Sequence, residues 1–202
     1  AKRKNNLPGG SRSRTATKER TMLMSDSWYK VDNVAKVFLA TASQRDPRVF
    51  RISCTLNEEI DPDTLNEALR STAQEWPQFQ VTLHRGLFWH YFESTDQLPT
   101  AQPETKAPCA PLYTPERRNK LIYRVTYFGA RINLEMFHAI TDGNGGLLYL
   151  KSIVRNYLAL RHPGEMENVP SPNSASAGDM AQDSFRNFYE GTKRTVSYTH
   201  LR

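Results

Sequence analysis

Two β-rich runs separated by two residues constrain this chain most. Leu121–Phe128 (LIYRVTYF) and Arg131–Phe137 (RINLEMF) are joined only at Gly129–Ala130, which suits an antiparallel pair. The second run leads into a glycine-rich loop, His138–Gly146. A helical stripe of Leu147, Leu150, Val154, Tyr157 and Leu158 follows and ends before Pro163. Upstream, Val49–Leu56 (VFRISCTL) reads as a further strand. Asp61 then Pro62 marks a helix start, a capping carboxylate ahead of a residue that needs no N–H at the first helical position. Leu65, Ala68, Leu69, Thr72, Ala73 and Trp76 share one face of that helix, and Pro77 stops it. Phe79–His84 and Leu87–Phe92 flank Arg85–Gly86, predicting a tight hairpin. Leu98–Pro115 carries five prolines and is expected to be a long loop or edge segment. The sum is an α/β layer with mostly antiparallel strands and flanking helices.

The apolar fraction of 38% suffices for a packed core. The formal charge of +6 would suggest nucleic acid if it were spread over a face. It is not. Seven basic residues and one acid fall in residues 1–20, leaving 20 basic and 20 acidic residues elsewhere. No nucleic-acid partner is expected for a neutral body. No apolar run has the length of a membrane span. Cys54 and Cys109 form no close-spaced pair, so a reducing, cytoplasmic setting is expected. His84 and His90 do not combine with these cysteines in zinc spacing, and no metal is expected. The aromatic cluster Phe88, Trp89, Tyr91 and Phe92 reads as core and edge packing.

The chemistry-bearing segment is Phe137–Gly146, FHAITDGNGG, in which His138, Asp142 and Gly143 form H-x-x-x-D-G between a strand end and a helix. The run GNGG has neither Walker nor Rossmann spacing, which argues against a phosphate cradle. A neutral imidazole in this position can take a proton from a hydroxyl or amine.

The segment resembles the active-site loop of the coenzyme A-dependent acyltransferase superfamily. That group includes chloramphenicol acetyltransferase, plant BAHD acyltransferases, nonribosomal condensation domains and bacterial alcohol acetyltransferase-like proteins. The likeness is greatest to the last of these. It extends to Trp28–Tyr29–Lys30 with Asp32–Asn33, Phe50–Arg51–Ile52 and Trp76–Pro77–Gln78–Phe79. It continues through Gly86–Leu87–Phe88–Trp89 with Tyr91–Phe92, Pro108–Cys109, Arg124–Val125 and Leu134–Glu135, spanning residues 25–160. The resemblance implies the first lobe of a two-lobed, chloramphenicol acetyltransferase-like fold. It implies transfer of an acyl group from acyl-CoA, as co-substrate, to an alcohol or amine, with His138 as general base and no bound cofactor. Asp142 is then expected to turn away and pair with an arginine, and Gly143, Gly145 and Gly146 to allow a tight turn. Condensation domains usually carry a second histidine where this chain has Phe137, which favours an alcohol or amine acceptor over peptide-bond formation. The alternative is a non-catalytic or carrier-dependent condensation-like module that binds an acyl carrier protein.

The resulting organisation is a basic arm (1–21), an N-terminal acyltransferase lobe (22–163), a linker (164–182) rich in Pro, Ser, Asn and Ala, and the start of a crossover (183–195) to a second lobe. Met22 or Met24 is expected to be the native start, which N-terminal sequencing of the native protein checks. The tail 196–202, VSYTHLR, is what the string GTC TCT TAT ACA CAT CTC CGA encodes. That string resembles a transposase adapter, so the native frame is expected to continue past Thr195. Resequencing from an independent library checks this.

Overall fold

The computed structural model describes residues 28–114, 117, 119–166 and 169. The expected basic arm, nearly all of the linker, the crossover and the tail lie outside the described residues. The elements are β1 (Trp28–Lys30), α1 (Asn33–Thr41), β2 (Val49–Thr55), α2 (Pro62–Glu75), β3 (Val81–Arg85), β4 (His90–Ser94), β5 (Gln102–Pro103), β6 (Tyr123–Phe128), β7 (Arg131–Phe137) and α3 (Gly143–Arg161). A single turn of 3-10 helix, Pro77–Phe79, follows α2.

The larger sheet runs β2-β7-β6-β5 and the smaller β1-β4-β3. All pairings are antiparallel except the short edge strand β5, which lies parallel to β6. The proline-rich stretch therefore supplies an edge strand, where proline's missing N–H is tolerated. The hairpin differs from expectation. Its strands are joined by a longer turn, in which Gly86 N–H donates to the Trp89 carbonyl at 2.7 Å. Leu87, Phe88 and Trp89 are exposed at its tip rather than packed.

Strand alternation gives the large sheet two unlike faces. Ile52, Leu134, Met136, Tyr123 and Val125 point to one face and pack with Leu65, Leu69, Trp76, Ile153 and Tyr157 of α2 and α3. The α2 cap forms as its sequence predicts, with the Asp61 carboxylate accepting from Thr64 N–H at 2.9 Å. Trp76 is fully buried and donates its indole N–H to Ser152 at 2.9 Å, locking the end of α2 to α3. Phe137 falls on the other side of the sheet, in a second core with Val31, Ala35, Leu83, Leu112 and Ile122.

Beside that second core, the same face of the sheet carries a buried ionic cluster. Glu135 is fully enclosed between Arg51 on β2 and Arg124 on β6. Its carboxylate accepts from Arg51 Nε at 2.8 Å and from Cys109 N–H at 2.9 Å, as well as from Arg124 Nε. Arg51 also pairs with Glu104, which binds Arg131 at 2.6 Å. The segment after β5 is thereby pinned across the sheet. Burial alone pushes the Glu135 carboxyl up, but the Cys109 N–H, Arg51 and Arg124 together outweigh it and hold the group below the carboxylate range. Arg51 and Arg131 do the same to Glu104. A carboxyl with a depressed folded pKa stabilises the fold above its unfolded value, about 4.3, and that contribution is lost as pH falls through the folded value. Denaturation midpoints measured from neutral to acid pH are therefore expected to fall mainly below about pH 4.3. A midpoint independent of pH through that range contradicts the assignment.

Candidate active site around His138

The end of β7 sets His138 beside the first residues of β2. His138 N–H donates to the Arg48 carbonyl at 2.9 Å, and Ile140 N–H closes a turn onto the Phe137 carbonyl at 3.0 Å. Arg48 holds a left-handed backbone conformation, φ 55°, which a non-glycine residue adopts at a cost. The strain falls where the chain enters β2 against the histidine.

The imidazole is half-buried and packs against two aromatic rings. Phe38 of α1 stacks on it, with ring centroids 4.8 Å apart and planes 14° from parallel. Phe50 of β2 lies 4.4 Å away at 41°. Neither ring nitrogen takes a hydrogen bond from or gives one to another described residue. Ring packing thus positions the imidazole, and its nitrogens remain available to a reactant.

Asp142 stands at the start of α3. Its carboxylate caps α3, accepting from Gly145 N–H at 2.8 Å. No ion pair with arginine forms among the described residues. Gly145 and Gly146 serve close approach. Gly143 and Gly146 already belong to α3, and neither has a positive φ. A methyl group at Gly146 would lie 2.8 and 2.9 Å from the Phe50 ring, and one at Gly145 would collide with the Thr141 hydroxyl. At Gly143 it would meet nothing within 4 Å. Gly146 therefore lets α3 pass over the ring that supports His138. Gly146→Ala is expected to cost about 1–3 kcal/mol by overpacking, whereas Gly143→Ala is expected to be neutral or stabilising by up to about 1 kcal/mol. Urea denaturation of the two variants checks the contrast, and equal costs would contradict it.

The other residues singled out in the sequence are dispersed. His84 pairs with Glu93 at 2.9 Å and stacks on Tyr91, while His90 meets Tyr113 edge to face. Cys54 and Cys109 are both free. Among the described residues no group of three or more His, Cys, Asp or Glu is gathered where a metal could be held. Sequence reasoning missed the supporting rings. Phe38 carried no local signal, whereas Phe50 stood in a stretch, Phe50–Arg51–Ile52, already marked by resemblance.

No family model matches the sequence, and no curated protein matches it. Solved structures do match the fold. The starter condensation domain of rhizomide synthetase superposes with a TM-score of 0.53 at 12% identity, over 67% of this chain and 38% of that one. The X-domain from teicoplanin biosynthesis gives 0.56 at 16% identity, over 79% and 40%. Polyketide synthase associated protein 5 from Mycobacterium tuberculosis gives 0.50 at 15%, over 70% and 35%. The chain thus has a condensation-domain fold over less than half the length of these structures. A variant of the rhizomide synthetase domain was solved in complex with C8-CoA. No described helix is long and apolar enough to cross a membrane.

Proposed function

We propose that this chain is the histidine-bearing lobe of a two-lobed acyltransferase, which moves an acyl group from a coenzyme A thioester to an alcohol or amine. The observation that carries this reading is His138 itself, packed against two aromatic rings at a strand end with its nitrogens unengaged among the described residues. A ring nitrogen takes the proton from the acceptor O–H or N–H as that atom attacks the thioester carbonyl. The carbonyl carbon forms its new bond to oxygen or nitrogen, the carbon–sulfur bond breaks, and the departing thiolate recovers the proton from His138. The thioester is already activated, so no acyl-enzyme is needed. Asp142 supports the loop at the start of α3 by capping it. Metal and bound cofactor have no part in these steps.

Within the superfamily, the motifs favour an alcohol acetyltransferase-like enzyme acting on small molecules, and the widely spaced Cys54 and Cys109 favour a cytoplasmic one. The C8-CoA complex of a protein with this fold supports a coenzyme A donor. Linker and crossover, 164–195, would lead to the second lobe. The test presents one acyl group on coenzyme A and on an acyl carrier protein, to a protein carrying both lobes. Turnover with acyl-CoA and free alcohol or amine is expected. Turnover only with the carrier, or donor binding without turnover, favours the condensation-like module and removes this reading.

A further inference from the structure

A cavity of about 490 Å³ opens between the end of α1, the β3–β4 hairpin and the segment at Tyr113. Leu39, Ala42 and Phe137 supply apolar lining. Arg85, His90 and Tyr113 stand in the polar lining beside Ser43, Gln44 and Thr114, and no aspartate or glutamate is among the lining residues. Arg85 and His90 are directly paired across the hairpin, so their side chains leave the same face. The His90 and Tyr113 rings meet edge to face with centroids 6.1 Å apart. Among the described residues, none of the three makes a side-chain hydrogen bond or ion pair. The nearby acid Asp46 is taken up by Arg48 at 3.3 Å. Three side chains with unpartnered donors therefore line one partly apolar cavity.

We propose that this cavity binds a small aliphatic monoanion, a carboxylate on a short hydrocarbon body, with Arg85 as the charge partner and His90 and Tyr113 as hydrogen-bond donors. The guanidinium fork matches a carboxylate, and the hydrocarbon would lie against Leu39, Ala42 and Phe137. Burial first, and then the Arg85 charge, hold the His90 imidazole below its ordinary range, so at neutral pH it is an uncharged donor. One fixed cation with two neutral donors suits a single negative charge better than a dianionic phosphate. His138 lies outside this cavity lining, so the site does not depend on acyl transfer.

The test is an NMR titration of the 202-residue chain with sodium hexanoate, with hexanol and inorganic phosphate in parallel. Saturable shifts confined to Leu39–Gln44, Arg85, His90 and Tyr113 are expected with hexanoate, and much weaker ones with the other two. Arg85→Gln should weaken hexanoate about five- to tenfold, since an exposed guanidinium contributes less than a buried one. Arg70→Gln, an equal charge change on α2, should leave it unchanged. Equal response to hexanol, stronger binding of phosphate, shifts spread over the surface, or equal weakening by the two variants overturns the proposal. The wild-type comparison stands even if Arg85→Gln fails to fold.

Discussion

Glu135→Ala is expected to destabilise the fold by about 3–5 kcal/mol, toward the lower end because Arg51 retains Glu104. The carboxylate is fully buried, and the Arg51 and Arg124 side chains are each only 18% exposed. Removing it leaves two arginines facing each other across β7 with their shared counter-charge gone and the Cys109 N–H without its acceptor. The cost comes from that imbalance, not from the intrinsic worth of the triad. Replacing all three together, as Arg51→Met, Glu135→Met and Arg124→Leu, removes the unbalanced charges but still leaves the Cys109 N–H without an acceptor and Glu104 without Arg51, so it is expected to cost less than Glu135→Ala without being neutral. Urea denaturation with unchanged m values separates the two cases. A single-variant cost below about 1 kcal/mol would mean that water already solvates these charges, contrary to their burial.

Local signals made much of this fold legible. The strand Arg131–Phe137 and the capped helix after Asp61 form where the sequence placed them, because alternation and capping chemistry are local. The hairpin turn was misplaced because Leu87, Phe88 and Trp89 look like strand core while standing exposed. The helix α1 was not anticipated. Its sequence, NVAKVFLAT, is apolar nearly all round and gives no clean stripe, although Asp32 caps it through Ala35 N–H at 2.6 Å. His138 was legible as a motif, but its setting was not. The rings of Phe38 and Phe50 reach it from α1 and β2, and such contacts follow from the register of distant elements. The same holds for Gly146, whose necessity rests on the Phe50 ring rather than on its own dihedral angles.

His138→Ala is expected to reduce acyl transfer about 10²- to 10⁴-fold, the usual contribution of a positioned general base. The fold should survive, because the ring is half-buried and its nitrogens anchor nothing among the described residues. His138→Gln keeps hydrogen-bonding capacity without basicity, so it should be nearly as inactive. The unreacted acyl-CoA should still bind, placing the loss in kcat. The most direct measurement is acceptor-dependent release of the coenzyme A thiol, followed in wild-type and His138→Ala proteins carrying both lobes, with circular dichroism verifying both folds. Rapid release that needs an alcohol or amine, lost in the folded variant, is the predicted result. Equal release by wild type and the folded variant would show that His138 is not the base and would contradict the account.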